Sequence, residues 1–236
     1  MHVALMGVLV LGMLGVQFWI RTYHYSRAFR PAPRVDASGF WSPVNGTVVY
    51  VREVIGDDVY CDKGDRQVKT PLNLEAPYAQ LGVFVGPYDN HHVLAPTAIE
   101  ASTLHRVDVM DAVNVAMVTL SDRLLGFAGW WERHLEGFLS HNQRIILSWT
   151  PEGWPSPCYL VIIMDRFLNR FFEASDREGR HASGEVLGFI GRGSQVDVFV
   201  PCAVIEGDPP RDLVGHRVTP DTALLRLAVR QEAAHA

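Results

Sequence analysis

Gly184-Glu185-Val186-Leu187-Gly188-Phe189-Ile190-Gly191-Arg192-Gly193-Ser194-Gln195-Val196-Asp197-Val198-Phe199-Val200-Pro201 is the stretch on which the fold of this chain is read. Apart from Asp197, residues 196–200 are β-branched or aromatic, and they predict a buried strand. The glycines ahead of them permit positive φ and close backbone approach, so the segment predicts a turn between two strands. On these residues alone, Gly191-Arg192-Gly193-Ser194 reads as a glycine-rich hairpin turn with no chemistry of its own.

The strand pattern recurs outward from that point. Thr47-Val48-Val49-Tyr50-Val51 lies between Asn45-Gly46 and Gly56-Asp57-Asp58, and further apolar runs occupy 81–85, 145–149 and 159–164. One segment departs from it. Within 120–139, Leu124, Phe127, Trp131, Leu135 and Phe138 approximate helical spacing, the usual mark of a core-facing helix. Trp130 and Trp131 beside Phe127 also suit an apolar surface in a membrane interface. The expectation is a β-rich (α+β) fold, a single sandwich- or barrel-like domain over 44–236 with a helical insertion. A linker at 24–43, rich in Pro and Arg, joins it to an N-terminal membrane anchor at 1–23.

The anchor rests on residues 3–20, which carry no charge and only Gln17 as a strongly polar side chain. About 18–20 such residues in a helix nearly span a bilayer core of ~30 Å. Trp19 and Tyr23 stand where aromatic rings favour the headgroup layer, and Arg21, Arg27, Arg30 and Arg34 follow. A secretory signal would place its positive charge before the apolar run and a small-residue cleavage site after it, and neither is present. The arginines predict a domain on the cytoplasmic side of the cell membrane.

Composition excludes several function classes. A net charge of −5 argues against a broad electrostatic grip on nucleic acid. Cys61, Cys158 and Cys202 are odd in number and lack CxxC spacing, which argues against a disulfide framework or a cysteine zinc site. A reducing compartment is the simplest reading, and no metal is expected. Lys63 and Lys69 are the only lysines, and Lys63 lacks the setting of a biotin- or lipoate-carrying hairpin. A serine hydrolase built on Ser194 and His91 would lack the Gly-x-Ser-x-Gly elbow and would leave the anchor unexplained.

Taken whole, 184–201 resembles the pattern of phosphatidylserine decarboxylases of the shorter bacterial and archaeal type: Gly-Glu-x-x-Gly-x-Ile-x-x-Gly-Ser-x-Val-Asp-x-x-x-Pro. Two further stretches are similar to motifs of that family. Phe84-Val85-Gly86-Pro87-Tyr88-Asp89-Asn90-His91-His92-Val93-Leu94-Ala95-Pro96 matches Pro-x-Asp-x-His followed by Ala-Pro, and Ser42-Pro43-Val44-Asn45-Gly46-Thr47-Val48 matches Ser-Pro-x-Asp-Gly-x-Val apart from Asn45. Phe29-Arg30-Pro31-Ala32-Pro33-Arg34, Asn142 with Arg144, and Arg170 fit shorter elements in the same order.

The resemblance implies self-cleavage between Gly193 and Ser194, with the serine becoming a covalent pyruvoyl cofactor. It implies a proenzyme that yields two chains and converts phosphatidylserine of the membrane to phosphatidylethanolamine and CO₂. His91 falls on the family's decarboxylation histidine, a residue suited to exchanging protons near neutral pH. His92 has no family counterpart. Asp89 and Asn45 would orient groups during processing, and Arg170 or Arg192 would hold the lipid phosphate with a guanidinium fork. Oligomeric state is left open, with a homodimer among the options. Asn45 replaces a family aspartate, and Leu94 stands where the longer type has a second histidine, which the shorter type also lacks. Asparagine orients by hydrogen bonding but supplies no charge. The alternative reading is therefore a member that no longer processes itself and binds lipid or acts as a scaffold.

Overall fold

The computed structural model describes residues 7, 11–16, 38–62, 67–86, 89–100, 103–109, 143–163, 171–173, 180–190 and 194–228. The chain divides into two compact units, Met1–Arg30 and Pro31–Ala236. In the first, residues 11–16 are helical and expose Leu11, Met13, Leu14 and Val16. Among the described residues no helix is long and apolar enough to cross a membrane. Most of the anchor expected at 1–23, and the helical insertion expected at 120–139, lie outside the described residues.

The second unit is built of strands, as the β-branched and apolar runs predict. They are β1 (Gly39–Trp41), β2 (Gly46–Asp62), β3 (Gln67–Val85), β4 (His92–Leu94), β5 (Ile99–Glu100), β6 (His105–Val109), β7 (Arg144–Trp149), β8 (Cys158–Ile163), β9 (Phe171–Glu173), β10 (Arg180–His181), β11 (Val186–Ile190), β12 (Ser194–Pro201), β13 (Arg217–Val218) and β14 (Ala223–Arg226). A seven-stranded sheet runs β13-β2-β3-β12-β8-β7-β6, and a three-stranded sheet runs β4-β11-β9. Two small antiparallel pairs, β1 with β14 and β10 with β5, complete it. The stretch expected as a linker, 24–43, contains β1, so its last residues belong to the domain.

The main core brings these sheets together. Val48, Val83, Val85, Val196, Val198, Leu160 and Ile162 come from the large sheet, Val93, Leu187 and Ile190 from the three-stranded one, and Phe40, Leu224 and Leu225 from β1 and β14. This layering is what period-2 patterning requires, since alternate residues of each strand face the shared interior. The other face of the large sheet holds a second apolar cluster that includes Tyr78, Phe84, Ile146, Val161, Ile163 and Phe199.

One expectation is corrected. β11 and β12 flank the Gly-Arg-Gly turn, yet they do not pair as a hairpin. β12 is a central strand whose two edges are taken by β3 and β8, while β11 pairs with β4 and β9. The chain therefore passes from one sheet to another between Ile190 and Ser194.

Candidate active site

Three distant stretches of sequence meet at one end of the sheets. Residues 91–96 are fastened on one side to 41–43, by hydrogen bonds from Leu94 N–H to the Pro43 carbonyl (2.8 Å) and from Trp41 N–H to the Pro96 carbonyl (3.1 Å). On the other side they are fastened to 184–190. Ile190 N–H donates to the His91 carbonyl (2.9 Å), Ala95 N–H to the Glu185 carbonyl (2.8 Å), and Gly184 N–H to the Ala95 carbonyl (2.7 Å). Ser194 then opens β12 opposite Val85, the last residue of β3. Gly46 opens β2 so close to β3 that a Cβ there would stand 2.3 Å from the Phe84 carbonyl oxygen. Only glycine fits, which explains the Asn45-Gly46 pair.

His91 is fully buried. Its Nδ1 lies 2.6 Å from the backbone carbonyl of Asp89. A carbonyl has no proton to give, so Nδ1 must donate, and in the neutral ring Nε2 is the basic nitrogen. The Phe189 ring packs against the imidazole at 6.3 Å between centroids. Asp89 itself is held twice within its turn. Its Oδ2 accepts the Gly86 N–H (2.8 Å), and its own N–H donates to the Gly86 carbonyl (3.0 Å). Its other oxygen, Oδ1, takes the guanidinium of Arg217. Among the described residues Asn45 makes no hydrogen bond to Asp89 or His91.

His92 is in a different situation. Asn90 Oδ1 accepts both its backbone N–H (3.0 Å) and its ring Nδ1–H (2.6 Å), and the ring meets Phe189 edge-on at 5.3 Å. Half-burial holds its pKa below the usual histidine value. It is a packed and satisfied side chain.

Of the other residues expected at the site, the backbone of Ser194 is placed, while Gly193, Arg192, Arg170, Asn142 and the aromatic segment lie outside the described residues. Sequence reasoning missed two groups. One is Arg217. The other is a polar cluster on the face of the large sheet turned away from the main core, where Asp197, Gln195 and Gln80 are fully buried. Asp197 Oδ2 takes the Tyr50 hydroxyl and the Gln80 amide (2.9 Å), and Oδ1 takes the Gln195 amide (2.8 Å). Gln195 Nε2 also reaches the Tyr50 hydroxyl (2.9 Å), and Arg52 Nε donates to Gln80 Oε1 (2.8 Å). Tyr50 on β2 reaches Asp197 on β12 by lying across Gly82 of β3, where a Cβ would stand 2.5 Å from Cζ of its ring. A glycine inside the apolar run 81–85 was the available signal of that close approach.

The arrangement offers a buried histidine whose Nδ1 is tied to a backbone carbonyl and whose own carbonyl is tied to the end of β11. No group of three His, Cys, Asp or Glu side chains able to hold a metal occurs among the described residues. The family model described as phosphatidylserine decarboxylase matches residues 17–218, an interval that includes all three converging stretches. No curated protein and no solved structure matches the chain.

Proposed function

The chain belongs to the phosphatidylserine decarboxylase family, and from that premise we propose that it is a self-cleaving proenzyme acting on phosphatidylserine. The observation that carries this reading is the buried His91, whose carbonyl is bonded to Ile190 at the end of β11, four residues before Ser194 heads β12. In the proposed processing the Ser194 hydroxyl attacks the Gly193 carbonyl, and the peptide bond becomes an ester. β-Elimination then frees the Gly193 carboxylate and leaves an unsaturated residue at 194. Water hydrolyses that residue to a pyruvoyl group and releases ammonia. Serine is a weak nucleophile at its own pKa, so a base or an orienting partner must help it.

The strand suits such a cut. β12 is paired with β3 from Ser194 to Pro201 and with β8 from Gln195 to Phe199, so a new terminus at residue 194 stays held by its neighbours. The pyruvoyl group supplies an electron sink for decarboxylation. His91 delivers the proton to the substrate carbon from Nε2, with Nδ1 tied to Asp89. Arg170 or Arg192 grips the lipid phosphate. The anchor at 1–23 keeps the domain at the cytoplasmic face of the membrane, where the substrate's acyl chains remain in the bilayer. Its support is the charge-free run at 3–20 and the arginines after it.

A denaturing gel of the purified chain tests the reading. Two fragments, joined to release of CO₂ from phosphatidylserine and lost together in Ser194→Ala, are expected. Asn45, in place of the family aspartate, favours a second reading, a lipid-binding member that remains one chain. One intact band without decarboxylation is its signature.

A further inference from the structure

Arg217 belongs to none of the motifs, and its side chain is 71% exposed, whereas that of its partner Asp89 is only 8% exposed. An exposed ion pair by itself adds little to stability. Its consequence lies in what Asp89 holds. The Asp89 carboxylate is divided between Arg217 at Oδ1 and the Gly86 N–H at Oδ2, while its backbone carbonyl selects the tautomer of His91. If the carboxylate swings, the Gly86 bond opens and the carbonyl moves with the turn.

Arg217 is well placed to prevent this. It pairs with Thr47, Thr47 with Phe84, and Phe84 with Gln195, a row across four strands directly beside the Ser194–Val85 pair. A cut at 193/194 would put Arg217 on the fragment that begins at residue 194 and leave Asp89 and His91 on the other. We infer that Arg217 is a positioning residue that latches the two fragments together and holds the Asp89–His91 turn for proton transfer. The inference rests on the proposed function.

The test compares Arg217→Met and Arg217→Lys with the wild-type full chain in mixed micelles of phosphatidylserine and detergent. A displacement of roughly 1 Å at a reacting group costs on the order of 10²-fold, and a tether one residue removed should cost less. Arg217→Met is expected to lower kcat about tenfold, with KM and melting temperature near those of the wild type. Arg217→Lys keeps the charge without the fork and should recover part of the loss. Unchanged kcat, a rise in KM alone, or a kcat loss that tracks a lowered melting temperature would each overturn the inference. A second readout does not need turnover. Ring ¹⁵N spectra of histidine-labelled protein, with the signal assigned through His91→Gln, should show one Nδ1–H tautomer of His91 in the wild type and a mixture in Arg217→Met. Identical spectra would refute the latch. Failure of the Ser194 reading shows separately, as a wild-type chain that stays whole and releases no CO₂, and the imidazole spectrum still decides the role of Arg217.

Discussion

Removing the Asp197 carboxylate tests how the central strand is held. Asp197 is fully buried and receives three donors: the Tyr50 hydroxyl and the amides of Gln80 and Gln195. Asp197→Ala strips all three of that acceptor. Gln195 and Tyr50 still reach each other at 2.9 Å, so the loss is smaller than three full hydrogen bonds. At ~1.5–3 kcal/mol for a hydrogen bond to a charged group, the cost is about 3 kcal/mol. For a chain of ~150–250 residues, 1 kcal/mol moves the melting temperature by ~2–4 °C, so a fall of about 6–12 °C is expected. Asp197→Asn keeps the shape and one acceptor oxygen. A flip of the Gln195 amide lets its carbonyl accept from the new NH₂ at the expense of one bond, a cost of about 1 kcal/mol. Thermal melts followed by tryptophan fluorescence on the full chain in detergent measure both. A melting temperature for Asp197→Ala within a degree of the wild type would refute the reasoning. So would an Asn variant as damaged as the Ala variant, since charge and not the hydrogen-bond set would then be responsible.

Three further outcomes follow from the site. His91→Ala should leave the chain folded but reduce decarboxylation by ~10²–10⁴, the usual worth of a positioned acid–base group; full activity in a CO₂-release assay would remove His91 from the mechanism. Asn45→Asp restores the family carboxylate and should speed self-cleavage in a gel time course by at least about tenfold, given that losing an orienting carboxylate can cost a triad about 10⁴. An unchanged or slower time course would show that Asn45 is not the weak point. The third concerns pH. Burial lowers the His92 pKa in the folded chain, so below the ordinary value near 6.5 the unfolded chain binds the extra proton more readily. His92 therefore contributes stability that is present above that pH and lost as pH falls through it. His92→Gln should flatten the fall in melting temperature between about pH 7 and pH 5, and an unaltered slope would contradict the assignment.

Much of the strand pattern was legible because β-branched and apolar runs bounded by turn residues are a local property. The runs at 47–51, 81–85, 145–149, 159–164 and 196–200 fall on β2, β3, β7, β8 and β12. Their lengths were less so. β2 and β3 extend to 17 and 19 residues through the mixed polar and apolar stretches 52–62 and 67–80, held by cross-strand pairing that no single-strand pattern encodes. The local reading of Gly191-Arg192-Gly193-Ser194 as a hairpin fails for the same reason, since the choice of partner for β12 is made by β3 and β8. At the site, motifs singled out His91 and Ser194, and the roles given to them belong to the proposed function. Arg217 was not singled out, because nothing local distinguishes an arginine that meets Asp89 from one that meets solvent. Asp197 was visible as a motif residue, but its partners Tyr50 and Gln80 come from two other strands, and only the sheet order brings them together.

The central claim is that Ser194 is converted, and the mass of the chain around that residue tests it most directly. Intact-mass and peptide spectrometry of the purified, aged protein should find one fragment ending in the Gly193 carboxylate. The other should begin at residue 194 with a mass lower by one ammonia than a serine terminus requires, and it should react with a carbonyl reagent. A single uncut chain, or a fragment beginning with a free serine amine, would contradict the account.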